Sequence, residues 1–331
     1  MRRPRIADQV VVLTGASSGI GRETALALAR RGARLVLAAR GVEALDATVR
    51  DVEPEVGHAI AVPTDVSDAS QVERLARTAV ERYGRIDTWI NGAAVATYAT
   101  VEELTTAEID RVIQVDLLGA IYGTRAALAH MSTRGQGTII NVSSVLAARA
   151  FPLMSTYSAA KAGLDAFTES LRVELARDHP GISVSLILPS SIATPFYDHA
   201  RSKRGRAARP YPPVYAPAAV ARAIVFAARH PRRAIYVGVA GRLLALAEQL
   251  SPALVDRYLL QGDRAFEHML SNRPAPRDNL FAPVDAPPAS QGSHPPQLHH
   301  SLYTELVMRR GLMLAIASLG ALGLWRWQRN R

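Results

Sequence analysis

The sequence predicts an α/β protein: one doubly wound parallel sheet with helices on both faces, followed by a helical C-terminal extension. Three observations carry this. Short apolar runs alternate with helical patterns as far as residue 240. The first of these runs, around Val10 to Leu13, is continuously apolar, as in a strand buried on both faces. The first run ends in a glycine-rich turn that opens a helix.

The elements follow in order. Gln9 to Thr14 is the first strand, and it runs into Gly15-Ala16-Ser17-Ser18-Gly19-Ile20-Gly21 and a helix through Ala25, Leu26, Leu28 and Ala29. Such a turn brings backbone N–H groups close to a pyrophosphate at a helix N-terminus, so it predicts nucleotide binding. The second strand, Arg34 to Ala39, is followed by Arg40. NAD-preferring dinucleotide folds usually place an acid here for the ribose 2′-OH; Arg40 offers a cation for a 2′-phosphate instead, and we read NADP. The alternative is a solvated arginine at a strand end. Ile60 to Pro63 is strand-like, and Ser67 or Asp68 can cap a helix from Ala69 to Tyr83. Ile86 to Ile90 is the next strand, ending at Asn91-Gly92-Ala93-Ala94. A single long helix is expected over Thr106–Met131. Thr138 to Ser144 is the fifth strand, Ile182 to Pro189 the sixth, and Ala234 to Val237 a short last one. Ala218 to Arg229 reads as a helix with Pro217 near its start. In an open parallel sheet, ligands bind beyond the strand carboxyl ends, where Gly15, Asn91 and Ser144 fall.

Composition narrows the function. The chain has 331 residues and no cysteine, which excludes disulfides, thiolate metal sites and a thiol nucleophile. No apolar h-region follows Met-Arg-Arg-Pro-Arg, so no signal peptide is expected. The net charge is +10, without an aromatic-interleaved basic stripe, so no nucleic-acid partner is expected. His199 and the His299-His300 pair lack ligand spacing, and no metal site is expected.

The chemistry lies between Ser144 and Lys161. Tyr157 and Lys161 are four apart, on one face of a helix. A lysine beside a phenol favours the phenolate, making Tyr157 a candidate acid/base. Lys161 and Lys203 are the only lysines among 39 basic residues, and arginine cannot replace a compact ammonium of tunable pKa. Ser144, thirteen residues before Tyr157, can return a hydroxyl to the same site.

Over residues 7–240 the chain resembles the short-chain dehydrogenase/reductase family, a Rossmann-type fold. The resemblance rests on Thr14-Gly15-Ala16-Ser17-Ser18-Gly19-Ile20-Gly21, Asp65, Asn91, Ser144, Tyr157 and Lys161, in family order and spacing. It implies that Tyr157 moves the proton, that Ser144 orients the carbonyl or alcohol, and that Lys161 binds the nicotinamide ribose. It further implies that Asp65 and Val66 flank adenine and that Pro189, Ile192 and Thr194 lie at the nicotinamide. Thr106–Met131 and Ser155–Asp178 would form a homo-oligomer contact. Three departures stand out: Asn91-Gly92-Ala93-Ala94 for Asn-Asn-Ala-Gly, Pro189-Ser190 for Pro-Gly, and Asp116 where the family has an asparagine that anchors a water of the proton relay. Aspartate accepts hydrogen bonds but cannot donate as an amide does. An ionised Asp116 would weaken Lys161 as a proton donor, so a shifted pH profile is expected.

The domain organisation expected is a catalytic domain over 1–240, a helical extension over 241–270, a proline-rich linker over 271–305 and a tail over 306–331. Residues 190–216 form a substrate lid: Phe196, Tyr197, Tyr211 and Tyr215 give it apolar surface. Its cations, Arg201, Lys203, Arg204, Arg206 and Arg209, either recognise an anionic carrier or are solvated. Gly311 to Trp325 is uncharged, with arginines on both sides. Gly311–Trp327 as a helix spans about 25 Å against a hydrocarbon core of roughly 30 Å, borderline for crossing but suited to membrane attachment. The expected function is NADP(H)-dependent interconversion of a hydrophobic carbonyl and its alcohol by a membrane-associated enzyme with a cytoplasmic catalytic domain. The alternatives are a wholly cytoplasmic enzyme, or a non-catalytic NADP-binding sensor or scaffold.

Overall fold

The computed structural model describes residues 3–56, 58–261, 268–275, 277–284 and 286–309. Seven strands form one sheet: β1 (Val10–Thr14), β2 (Arg34–Ala39), β3 (Ala59–Pro63), β4 (Thr88–Asn91), β5 (Gly137–Val142), β6 (Ile182–Pro189) and β7 (Ala234–Val237). Their order is β7-β6-β5-β4-β1-β2-β3, and every pair is parallel. The order reverses between β1 and β4, which opens a crevice at the carboxyl edge. In register, Val12 sits beside Val36 on one side and Trp89 on the other.

The apolar runs are buried on both faces because helices cover both. Val12, Val36 and Trp89 pack toward α3 (Ala69–Tyr83), α5 (Gly119–Arg134) and α6 (Ser155–Asp178). Val11, Leu13, Leu35 and Leu37, on the alternate positions, pack toward α1 (Gly19–Ala29), α2 (Val42–Val56) and α7 (Pro217–Arg229). Each fully buried Val or Leu contributes about 1.5–3 kcal/mol relative to exposure. The helix starts obey local rules. Asp68 accepts from the Ser70 and Gln71 N–H groups at 2.9 and 3.4 Å, and Pro217 opens α7.

The helix expected over Thr106–Met131 is interrupted. α4 (Thr106–Ile113), begun by a Thr105–Glu108 capping box, passes into a π-helical turn over Gln114–Leu118 before α5. There the Gly119 N–H reaches back five residues to the Gln114 carbonyl.

Beyond β7 come α8 (Val239–Leu250), α9 (Pro252–Leu260), a short antiparallel pairing of Leu270–Pro274 with Arg206–Ala208, and α10 (Leu302–Met308). The described part of the proline-rich stretch is not the extended linker expected of it. Leu280 is fully buried in the core, and main-chain hydrogen bonds tie residues on either side of it to the catalytic domain. The segment 311–327 read as a membrane anchor lies outside the described residues. Among the described residues, one helical run, Thr106–Arg134, is long and apolar enough to cross a membrane, and half of it is buried inside the protein.

Candidate active site

The crevice at the strand ends is a cavity of about 660 Å³. The turn after β1 lines one wall through Gly15, Ser17, Ser18, Gly19, Ile20 and Gly21. The turn is tight: a Cβ on Gly21 would stand 2.0 Å from the Gly15 carbonyl oxygen, so only glycine lets α1 begin there. Ser18, at the N-cap, makes no side-chain capping bond, which leaves its hydroxyl for a ligand. Arg40, Asp65 and Val66 line one end of the cavity, and Ser144, Tyr157, Lys161, Pro189, Ile192 and Thr194 the other. The structure thus gathers fifteen of the sequence-predicted residues on one surface.

Three others stand behind it. The Thr14 hydroxyl accepts from the Gly92 N–H at 3.1 Å and braces the turn. Asn91 faces the interior, not a ligand: its amide nitrogen donates to the Ala120 carbonyl, Thr124 and Asn141, and its oxygen accepts from Trp89. It is a strut between β4, β5 and α5. Asp116 lies beneath Lys161, 1% exposed.

The end of the cavity that holds the candidate catalytic residues is buried and internally charged. α6 places Tyr157 and Lys161 one turn apart, and the end of β5 delivers Ser144. Lys161 Nζ donates to the Val142 carbonyl at 3.2 Å, stands 3.4 Å from Asp116 Oδ2 and lies 5.6 Å from the centre of the Tyr157 ring. Asp116 Oδ1 accepts from the Val95 N–H at 2.9 Å. Burial raises the Asp116 carboxyl to about 6, against the opposing pull of Lys161. Tyr157 moves opposite to the sequence expectation. Burial pushes its phenol up, the Asp116 charge pushes the same way, and the Ser144 hydroxyl pulls back. The lysine that should favour the phenolate has its charge met by Asp116 first. Tyr157 is therefore held protonated, a donor of a proton more readily than an acceptor. Asp165, one turn beyond Lys161 on α6, is a partly buried carboxyl, raised to about 6 chiefly by burial. Its spacing was legible from Lys161, but its burial was not.

At the other end, Arg111 was not anticipated. It donates to Asp65 Oδ2 at 2.7 Å, Ser67 Oγ at 2.6 Å and the Leu280 carbonyl at 2.9 Å. Asp65 is held below its usual range by Arg111 and Ser67 despite partial burial, which opposes them as the largest influence. Beyond Tyr157 the cavity wall is apolar, with Phe151, Met154, Phe196, Leu243 and Leu244. Phe196 packs 5.7 Å from Tyr157, centre to centre. The lid cations are engaged. Arg201 pairs with Glu108 and Asp278, Lys203 with Glu108, Arg204 with Glu103, and Arg206 donates to the Ser271 carbonyl. Arg209 donates to the His268 carbonyl. These partners do not favour the anionic-carrier reading. Ser190, the departure after β6, accepts from the Gly241 N–H at 3.2 Å and fastens α8 to the sheet.

The residues present fit a dinucleotide: a cradle that tolerates no Cβ, an N-cap hydroxyl that makes no capping bond, a cation after β2 whose guanidinium is shared with the Asn279 and Leu280 carbonyls, and a cavity of suitable volume.

Residues 9–205 match the family model described as short chain dehydrogenase. An uncharacterized oxidoreductase, YxnA of Bacillus subtilis, is 41% identical over 261 residues, covering 78% of this chain and 73% of the relative. An alcohol dehydrogenase from Thermococcus sibiricus solved with 5-hydroxy-NADP superposes with a TM-score of 0.61 at 27% identity, covering 69% of this chain and 95% of that one. A Burkholderia phymatum short chain dehydrogenase/reductase solved with NAD superposes with a TM-score of 0.67 at 26% identity, covering 75% and 95%.

Proposed function

Because the chain belongs to the short chain dehydrogenase family, we propose that it is an NADP(H)-dependent oxidoreductase interconverting an apolar carbonyl compound and its alcohol. The observation that carries this is the buried Ser144–Tyr157–Lys161 group facing an apolar wall in one cavity with the glycine turn. The bound nicotinamide supplies or accepts the hydride. The chain's residues do the rest. Ser144 holds the substrate oxygen. Tyr157, kept protonated by burial and by Asp116, donates the proton to that oxygen, which favours reduction. Lys161, fixed by Asp116 and the Val142 carbonyl, orients the ribose and the phenol. Phe151, Met154, Leu243 and Leu244 exclude water and select a hydrophobic substrate.

Solved relatives carry either cofactor, so the choice of NADP rests on Arg40 at the end of β2. NADPH supply places the catalytic domain in the cytoplasm. Attachment to a membrane would come from 311–327, and no described residue bears on it. Copies would associate through α4–α5 and α6.

The test is NADPH oxidation by the full chain over a panel of apolar ketones. Tyr157→Phe should lower kcat by about 10²–10⁴-fold while NADPH affinity holds. Cofactor binding without turnover on any ketone, and indifferent to Tyr157→Phe, would instead indicate a sensor or scaffold.

A further inference from the structure

Residues 279–284 and 286–293 cross the mouth of the cavity, pinned at three places. At the Arg40 end, the Leu280 carbonyl accepts from Arg111 Nε at 2.9 Å and Arg40 Nη1 at 3.3 Å, and the Asn279 carbonyl accepts from Arg40 Nη2. At the glycine turn, the Gly19 N–H donates to the Ala289 carbonyl at 2.9 Å, and Arg22 donates to Ser290 Oγ at 3.2 Å. At the loop after β6, the Gly292 N–H donates to the Ala193 carbonyl at 3.2 Å, and the Ser293 N–H to Asp198 Oδ2 at 2.8 Å. The last pin is close: a Cβ on Gly292 would lie 2.4 Å from the Thr194 carbonyl oxygen. Between the pins, Pro283, Val284, Ala286, Pro287 and Pro288 line the cavity without filling it, since about 660 Å³ remains.

We propose that this segment is a strap over the dinucleotide: the cofactor lies between it and the strand ends, and enters or leaves only when the strap lifts. The proposal rests on the NADP reading above. Its chemistry suits the task. Three prolines offer no N–H that closing could leave unpaired, and their fixed φ reduces the cost of ordering the strap. One buried side chain, Leu280, and a set of hydrogen bonds, several of them involving the side chains of Arg22, Arg40, Arg111 and Asp198, hold it, so it opens before the sheet does. Its carbonyls take the Gly19 N–H and two N–H groups of Arg40, so a bound dinucleotide shares these groups with the strap. It also joins the Arg40 end to the Thr194 loop.

The chain's lack of cysteine makes the test clean. A Cβ built on Gly41 stands 3.4 Å from the Pro283 Cβ, close to the roughly 3.5–4.5 Å of a disulfide. The full chain carrying Gly41→Cys and Pro283→Cys is oxidised with or without NADPH, gel-filtered, and followed by NADPH fluorescence. The form oxidised with NADPH should retain it, dissociating about 10²-fold or more slowly than the reduced form, and reductant should release it. The form oxidised empty should take up none. In the full chain, Gly292→Val should unseat the strap and speed both association and dissociation. NADPH leaving the oxidised form as fast as the reduced one would overturn the proposal. So would NADPH preventing the cross-link, because strap and cofactor would then compete for one place. Wild type and reduced variant both failing to bind any dinucleotide would overturn the cofactor reading itself, a result distinct from the others.

Discussion

The two ends of the cleft are built in opposite ways. At the catalytic end, Ser144, Tyr157, Lys161 and Asp116 come from β5, α6 and the π-helical turn, all buried, with the one ammonium matched to a carboxylate 3.4 Å away. At the Arg40 end, Arg40 and Asp65 are partly exposed and Arg111 is buried; both arginines donate to carbonyls of Asn279 or Leu280, far along the chain, and Arg111 in turn holds Asp65. On the proposed function, the first end would set which protonation state is available for chemistry, and the second, through the proposed strap, what is bound and how long it stays. The core that stabilises the sheet also surrounds Ser144, Tyr157 and Lys161, whereas Arg40 and Arg111 depend on a late segment that gives the core one side chain, Leu280.

That contrast predicts separable effects. The largest belongs to Lys161. Lys161→Met should lower kcat by about 10²-fold or more. It should also lower Tm at neutral pH, since breaking a buried pair costs about 3–5 kcal/mol. Adding Asp116→Asn should restore Tm, read by calorimetry, without restoring turnover; recovery of turnover would show that Lys161 serves only to neutralise Asp116. Next is Arg40→Ala. It should weaken NADPH binding about tenfold more than NADH binding through loss of one charge-assisted contact, with the pH–rate profile unmoved. Equal losses for both cofactors would detach Arg40 from the 2′-phosphate. The smallest is Asp116→Asn alone. Removing the carboxylate takes away one influence that raises the Tyr157 phenol and frees the Lys161 charge. The rising limb of alcohol oxidation, which requires the phenolate, should then move to lower pH by about one unit, with NADPH affinity unchanged. An unmoved limb would mean that Asp116 does not reach Tyr157.

The catalytic end was largely legible because its signals are local. Four-residue spacing sets Tyr157 above Lys161 in any helix, and an apolar run before Ser144 puts that hydroxyl at a strand end. What was not legible depends on burial and packing. The expectation that Lys161 would favour the Tyr157 phenolate omitted the cost of burying that charge, and it placed Asp116 near Lys161 without its effect on the phenol. Asn91 occupies the expected strand end, but its amide turns inward, and nothing along the chain states that direction. The strap was least visible. Seven prolines with few large apolar residues read as a linker, and its pins are main-chain carbonyls, which every residue possesses. Leu280 was its one side-chain signal.

The π-helical turn gives helix phase a chemical meaning. Each residue advances an α-helix by about 100°. The extra residue accommodated in Gln114–Leu118 therefore turns α5 relative to α4, so that Glu108 and Arg111 face the lid and the strap while Asp116 faces Lys161. A single-residue deletion in this turn would rotate one partner set away from its neighbours while leaving Glu108, Arg111 and Lys161 themselves unchanged. The proton wiring of this protein is thus encoded partly in the length of its chain between Arg111 and Gly119, where an insertion or deletion acts as a change of mechanism.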